Sequence, residues 1–232
     1  MSHPSFSNKD VLILIPAFNE EEIILQTIRN IPTEYSILVI NNGSTDSTAE
    51  KVRTTRAMLI EESRKGYGQA VYTGILEGIR MGYTVGVVYD ADAANDPQDI
   101  HTIVEPICAQ THDLVIAQRT QYAEKDALTP VQIFGNTLST LLIQAITGYK
   151  FTDMGAMRSF SLLGLKSLDL EDRGYGWNIE MQIKAVRASW NILELELPYR
   201  QRQGGESKIS GNKRAAMQAG IKILYTAFRY AR

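Results

Sequence analysis

Asp90 and Asp92 stand one residue apart, directly after the β-branched apolar run Val85, Val87 and Val88. Two carboxylates that close repel each other unless a cation lies between them. A hard divalent ion such as Mg²⁺ or Mn²⁺ suits the pair, since it takes few protein carboxylates and completes its shell with phosphate oxygens and water. Taken alone, the pair fits a plainer arrangement equally well, with Asp92 capping the turn and Asp90 solvated. Other stretches carry related chemistry. Arg64-Lys65-Gly66-Tyr67-Gly68 places two cations and two glycines before a helical pattern, as a phosphate-facing loop or a solvated basic turn would. It is no Walker loop, because the Gly-Lys-Ser/Thr ending is missing. Asn41-Asn42-Gly43-Ser44-Thr45-Asp46 has the short polar side chains of a ribose or base cradle, and equally of an ordinary turn. In Pro16-Ala17-Phe18-Asn19-Glu20-Glu21-Glu22, Asn19 is placed to cap a helix and the acids suit its positive end.

The elements that must position these groups follow from hydrophobic periodicity. Val11–Ile15, Ile37–Ile40, Met58–Ile60, the run from Val85 and Leu114–Ala117 are short apolar stretches of the kind buried in parallel sheets. Helical patterns alternate with them, which predicts an α/β fold: a doubly wound, mostly parallel sheet with helices on both faces. In such a sheet ligands sit beyond the carboxyl ends of the strands. The chain reads as one domain, 1–232, with a binding half at about 8–120 and a second half at about 121–206. That second half opens with a long apolar helix, Val131–Ile146, with Asn136 near its start. Asp153 and Arg158 then straddle a small apolar turn. Glu180 opens a further helix, where dipole compensation alone would account for it. Ile192–Leu197 alternates as an edge strand with one wet face does.

Composition narrows the function classes. A net charge of −2 excludes a globally basic nucleic-acid binder. Cys108 is the single cysteine and His3, His101 and His112 are scattered, which excludes a disulfide framework and argues against a zinc site. The start, MSHPSFSNKD, lacks a signal-peptide pattern, and no stretch has 18 consecutive apolar residues. The expected setting is cytoplasmic, or peripheral on the cytoplasmic face of a membrane. From Arg200 onward eight cations face one acid, Glu206, so this tail carries +7 and the remainder −9. Such asymmetry points to an anionic partner. At about 207–232 a basic amphipathic helix is expected, whose Met217, Ile221, Leu224 and Phe228 form either a core stripe or a membrane face.

In this order the motifs PAFNEE, NNGSTD, KGYGQA, DAD, QR, FGN, TDMGAMR, GWNIEM and RQRQGGESK resemble an inverting family 2 glycosyltransferase of GT-A fold, in particular the polyprenyl-phosphate hexosyltransferases. The resemblance covers roughly Val11 to Lys208. It implies a nucleoside-diphosphate sugar as donor, a polyprenyl phosphate as acceptor and Mg²⁺ or Mn²⁺ as cofactor. It implies Pro16, Ala17, Asn19 and Glu20 bordering the nucleotide, Asn42 and Asp46 near base and ribose, and Lys65 on the nucleotide side. Asp90 is implied toward the ribose or donor sugar and Asp92 at the metal. Arg119 and Arg158 would face anionic groups, Asp153 and Glu180 would flank sugar and acceptor, and Arg200, Arg202 and Lys208 would grip phosphates. Three departures stand out: Asn41-Asn42 where the family has Asp-Asp, Ala117-Gln118-Arg119 where it has Gly-Ser-Arg, and a segment one residue shorter between Asp153 and Arg158. Alternative functions are transfer to a soluble sugar or protein acceptor, nucleotidyl transfer, or a catalytically silent nucleotide-sugar-binding subunit. The base, the hexose and any homo-oligomer are left open at this point.

Overall fold

The computed structural model describes residues 10–119, 122–202, 204, 220, 222, 224–226 and 228–230. Val11–Ala17 forms β1, Ser36–Asn41 β2, Met58–Glu61 β3, Val85–Val88 β4 and Leu114–Gln118 β5. Between them run α1 (Ile24–Asn30), α2 (Thr48–Arg53), α3 (Tyr67–Arg80) and α4 (Ile100–Cys108). The second half supplies α5 (Pro130–Thr147), β6 (Arg158–Ser161), α6 (Leu162–Ser167), α7 (Trp177–Arg187) and β7 (Ile192–Glu196). The strands form one sheet in the order β3-β2-β1-β4-β6-β5-β7, parallel except for β6.

β1 shows why this sequence takes this form. Val11 to Ile15 are all buried, yet alternate residues leave on opposite faces. Val11, Ile13 and Ile15 join Ile24, Ile28 and Ile103, whereas Leu12 and Leu14 join Val71, Ile75 and Leu162. A strand covered on both faces can be continuously apolar, and each such side chain contributes about 2 kcal/mol by leaving water. β7 lies at the sheet edge, as its alternation predicts.

β6 is not among the strands expected from sequence. It lies antiparallel between β4 and β5, with Arg158 opposite both Val88 and Ile116. Four residues with a buried arginine at one end carry no readable alternation, so the strand is defined by its partners.

In the C-terminal segment the core alternative fails at two positions. Met217 and Ile221 lie outside the described residues, but Leu224 and Phe228 are exposed, which rules out core packing for those two. The segment docks instead through Tyr230, whose hydroxyl donates to Glu180, and through Lys222 and Arg229, which pair with Asp172 and Glu171. No helix among the described residues is long and apolar enough to cross a membrane.

Candidate active site

Parallel register sets Ala17 of β1 opposite Asn41 of β2 and Leu14 opposite Val88 of β4, so these three strands end along one edge. Beyond that edge lies a cavity of about 970 Å³. Of the residues singled out in the sequence, Pro16, Ala17, Glu20, Asn42, Lys65, Asp90, Asp92, Arg119 and Arg202 line it. An apolar part of the wall comes mainly from α5, through Val131, Phe134 and Leu138, with Met154 and Ala156.

Asp92 caps a turn and also faces a cationic side chain. Its Oδ1 accepts from the Ala94 amide at 3.1 Å, which caps the turn after β4, while its Oδ2 stands 3.8 Å from Arg202 Nη1. Burial and the neighbouring Asp92 charge push the Asp90 carboxyl up to about 7. Arg119, Arg158 and Arg202 oppose that shift without cancelling it. An acid pair held this way is short of positive charge, which a divalent cation would supply. Among the described residues no three His, Cys, Asp or Glu side chains converge as a metal cage. Any metal on this pair therefore draws further ligands from substrate and water, which is the habit of Mg²⁺ at phosphates.

Asp153 lies outside the cavity, fully buried under Arg119. Its Oδ2 accepts from the Arg119 amide at 2.8 Å and Nε at 2.9 Å, and its Oδ1 from Nη2 at 2.9 Å and from the Met154 amide at 2.8 Å. Burial works against the Arg119 charge, yet this bidentate carboxylate keeps its pKa above the ordinary value. Arg119 thus projects into the cavity as a permanently charged, fixed cation beside the Tyr199 ring, 5.5 Å from its centroid. Asp153 is expected from the resemblance to flank the sugar; its lone pairs are spent instead on orienting Arg119. Gly155 makes this possible: a Cβ there would fall 1.9 Å from the Ala117 carbonyl oxygen. The turn can press against β5 only without a side chain.

Glu180 and Arg158 are likewise interior. Glu180 accepts from the Glu171 and Asp172 amides at 2.7 and 2.6 Å, the Tyr230 hydroxyl at 2.6 Å and Lys184 at 2.9 Å. Burial raises its pKa, and these donors more than offset it, leaving it below the usual value. Arg158 donates to the Met154 and Gly155 carbonyls, while its Nε and Nη1 have no hydrogen-bond partner; burial brings its pKa down to about 10.

The other expected positions resolve similarly. Asn19, at φ +53°, does not cap α1; its Oδ1 accepts from the Thr45 amide at 2.8 Å and joins the loops after β1 and β2. Asp46 accepts from Thr48 and from the Glu21 amide and does not line the cavity. Arg200 pairs with Asp96 at 2.5 Å, and Lys208 lies outside the described residues. Asn42 explains one departure from the family pattern. Its amide donates to the Glu62 and Arg64 carbonyls and accepts from Gly66, at 3.1, 2.8 and 2.8 Å. An ionised aspartate could make only the last of these bonds. Asn42 therefore holds the Lys65 loop in place.

Sequence reasoning did not single out Tyr67, Tyr175, Asn178 and Tyr199, which also line the cavity. The Tyr67 hydroxyl and Asn178 Oδ1 are buried without a partner. Both sit inside quoted motifs, KGYGQA and GWNIEM, but neither carries charge. Tyr199 offers no local signal at all.

Paired carboxylates and fixed cations thus share one large cleft beyond the strand ends, where an α/β sheet of this kind carries its ligand. Residues 12–164 match the family model described as Glycosyl transferase family 2. An uncharacterised glycosyltransferase of Mycobacterium tuberculosis is 31% identical over 209 residues, covering 90% of this chain and 94% of that one. Undecaprenyl-phosphate mannosyltransferase of Micrococcus luteus is 30% identical, covering 87% and 88%. Glucosyl-3-phosphoglycerate synthase of M. tuberculosis, in complex with Mn²⁺, UDP and glucosyl-3-phosphoglycerate, superposes with a TM-score of 0.74 at 18% identity, over 98% of this chain and 86% of that one. The chain belongs to glycosyltransferase family 2 and is a glycosyltransferase of GT-A fold.

Proposed function

We propose that this enzyme transfers a hexose, with inversion, from a UDP- or GDP-linked sugar to a polyprenyl phosphate. The observation that carries the reading is the union of two unlike walls in one cavity: Asp90, Asp92 and cations at the strand ends, and the uncharged helix α5 opposite. All 18 residues of α5 lack charge, although Val131, Ile133, Phe134 and Leu141 are exposed. A donor headgroup suits the first wall and a lipid acceptor the second. The relative that acts on undecaprenyl phosphate supports the same acceptor class.

Asp92, with Asp90, would hold the divalent ion, which neutralises charge on the departing diphosphate. Lys65, Arg119 and Arg202 add fixed positive charge around it. A phosphate monoester, with its second pKa near 6, is already largely ionised at neutral pH and needs no base. This agrees with Asp153 and Glu180 being spent on structural hydrogen bonds. One observation favours transfer to a hydroxyl on a soluble acceptor: Asp90 titrates near 7, which suits a general base. The two roles of Asp90 are distinguishable by pH: a base with this pKa gives transfer an acidic limb near pH 7, whereas a metal on the pair draws the pKa well below that.

Calorimetric titration of UDP and GDP, each with Mn²⁺ and with EDTA, tests the donor site. One nucleotide should bind, and only with metal. Asp92→Asn keeps the Ala94 cap and should lower both metal-dependent binding and transfer at least about a hundredfold. Wild-type turnover in that variant refutes the metal assignment.

A further inference from the structure

Residues 199–202 form a strap beside the acid pair, with Tyr199 and Arg202 lining the same cavity as Asp90 and Asp92. Upstream it is pinned by the Arg200 amide to Ala94 O at 2.9 Å and by the Arg200 side chain to Asp96. Downstream, Gly204 lies against Ile23, just before α1, and its carbonyl accepts from Arg202 Nε at 2.7 Å. Between these anchors Arg202 reaches back 182 residues to Glu20, where Nη2 bonds Oε1 at 2.7 Å and Oε2 at 2.8 Å. Its other nitrogen, Nη1, stands 3.8 Å from Asp92 Oδ2.

We propose that Arg202 is the resident counter-ion of Asp92, exclusive with the divalent metal, so that metal binds tightly only together with the nucleotide diphosphate. This rests on the donor-site reading above. A cation on Asp92 and the Arg202 guanidinium repel each other at this separation. Glu20 keeps its hold on the guanidinium when Asp92 is taken, so Arg202 gives way without the strap unfolding. The negative diphosphate then compensates the displaced charge, and this is why nucleotide and metal favour each other's binding. By linkage the coupling is reciprocal. Without nucleotide, the tethered arginine holds free metal off; with it, the arginine faces phosphate.

The test is Mn²⁺ binding to the full chain, followed by the EPR signal of free Mn²⁺, with and without UDP or GDP. Arg202→Gln removes one positive charge beside two carboxylates, and Mn²⁺ alone should bind it about tenfold more tightly than it binds wild type. The enhancement of Mn²⁺ binding by nucleotide should shrink by a similar factor. Arg202→Lys keeps the charge without the fork and should fall between. Equal Mn²⁺ affinity in wild type and Arg202→Gln, with equal nucleotide enhancement, overturns the proposal and leaves the donor site standing. Failure of Mn²⁺ to bind wild type even with UDP or GDP removes the donor-site reading and the proposal together.

Discussion

Asp153 and Asp90 show how one residue type takes opposite roles through its surroundings. Asp153 is wholly engaged by Arg119, so Asp153→Asn should act through that cation. Breaking a buried charged pair costs about 3 kcal/mol, so a lower Tm is expected. Kinetically, KM for a phosphate-bearing substrate should rise about tenfold, as follows from losing one charge-assisted contact, while the shape of the pH–rate profile stays as in wild type. Loss of the acidic limb with an unchanged KM would instead make Asp153 a base. Asp90 has the contrary sign. Its folded pKa, about 7, lies above the ordinary carboxyl value, so between roughly pH 4 and 7 the folded state holds more protons than the unfolded state. Its contribution is therefore present in acid and is lost as pH rises through 7. Asp90→Asn should accordingly show a higher Tm than wild type at pH 8 and a similar one at pH 4, and Mn²⁺ with nucleotide should close that gap for wild type. At this scale the sequence made the acid pair and its flanking cations readable, because their types and spacing are local. It did not reveal that Asp153 and Glu180 are consumed by hydrogen bonds, since Arg119 and Tyr230 approach them from 34 and 50 residues away.

Helix α5 is legible as an apolar helix, and its ends follow local rules. Thr129 and Gln132 form a reciprocal capping box, and Gly148 ends the helix at φ +76°. Which face is wet was not legible, because a helix apolar on all sides has no hydrophobic direction. Ser139 and Ile143 are its buried positions; Phe134 is 70% exposed and Ile133 52%. Such a face is an expected site of lipid contact. In flotation with vesicles containing polyprenyl phosphate, Ile133→Glu and Phe134→Glu together should reduce recovery of the protein with lipid by at least about tenfold, given ~1.5–3 kcal/mol per large apolar side chain. The fold should survive, since neither side chain is buried. Unchanged flotation would move the contact to the exposed Leu224, Tyr225 and Phe228 of the C-terminal segment. β6 marks the limit in the other direction: four residues, Arg158 to Ser161, join the sheet only because β4 and β5 both lack a neighbour there.

Across the whole molecule, the alternation of strand and helix predicted the sheet and the edge that bears the site. The sheet and the cavity both run across the expected division near residue 120. β5, at Leu114–Gln118, belongs to the first half by sequence, yet both its neighbours, β6 and β7, come from the second. Arg119 follows the same rule, being placed by β5 and held by Asp153. Order of synthesis gives this interleaving a consequence. A nascent chain emerging from the ribosome completes β5 about forty residues before its first pairing partner, Arg158–Ser161, has been made. During that interval β4 also carries an unpaired edge, and both are strands of the kind that recruit other chains. The four residues of β6 then close the open edge of β4 and one edge of β5 in one step, and the last edge of β5 stays exposed to other chains until Ile192–Glu196 is made.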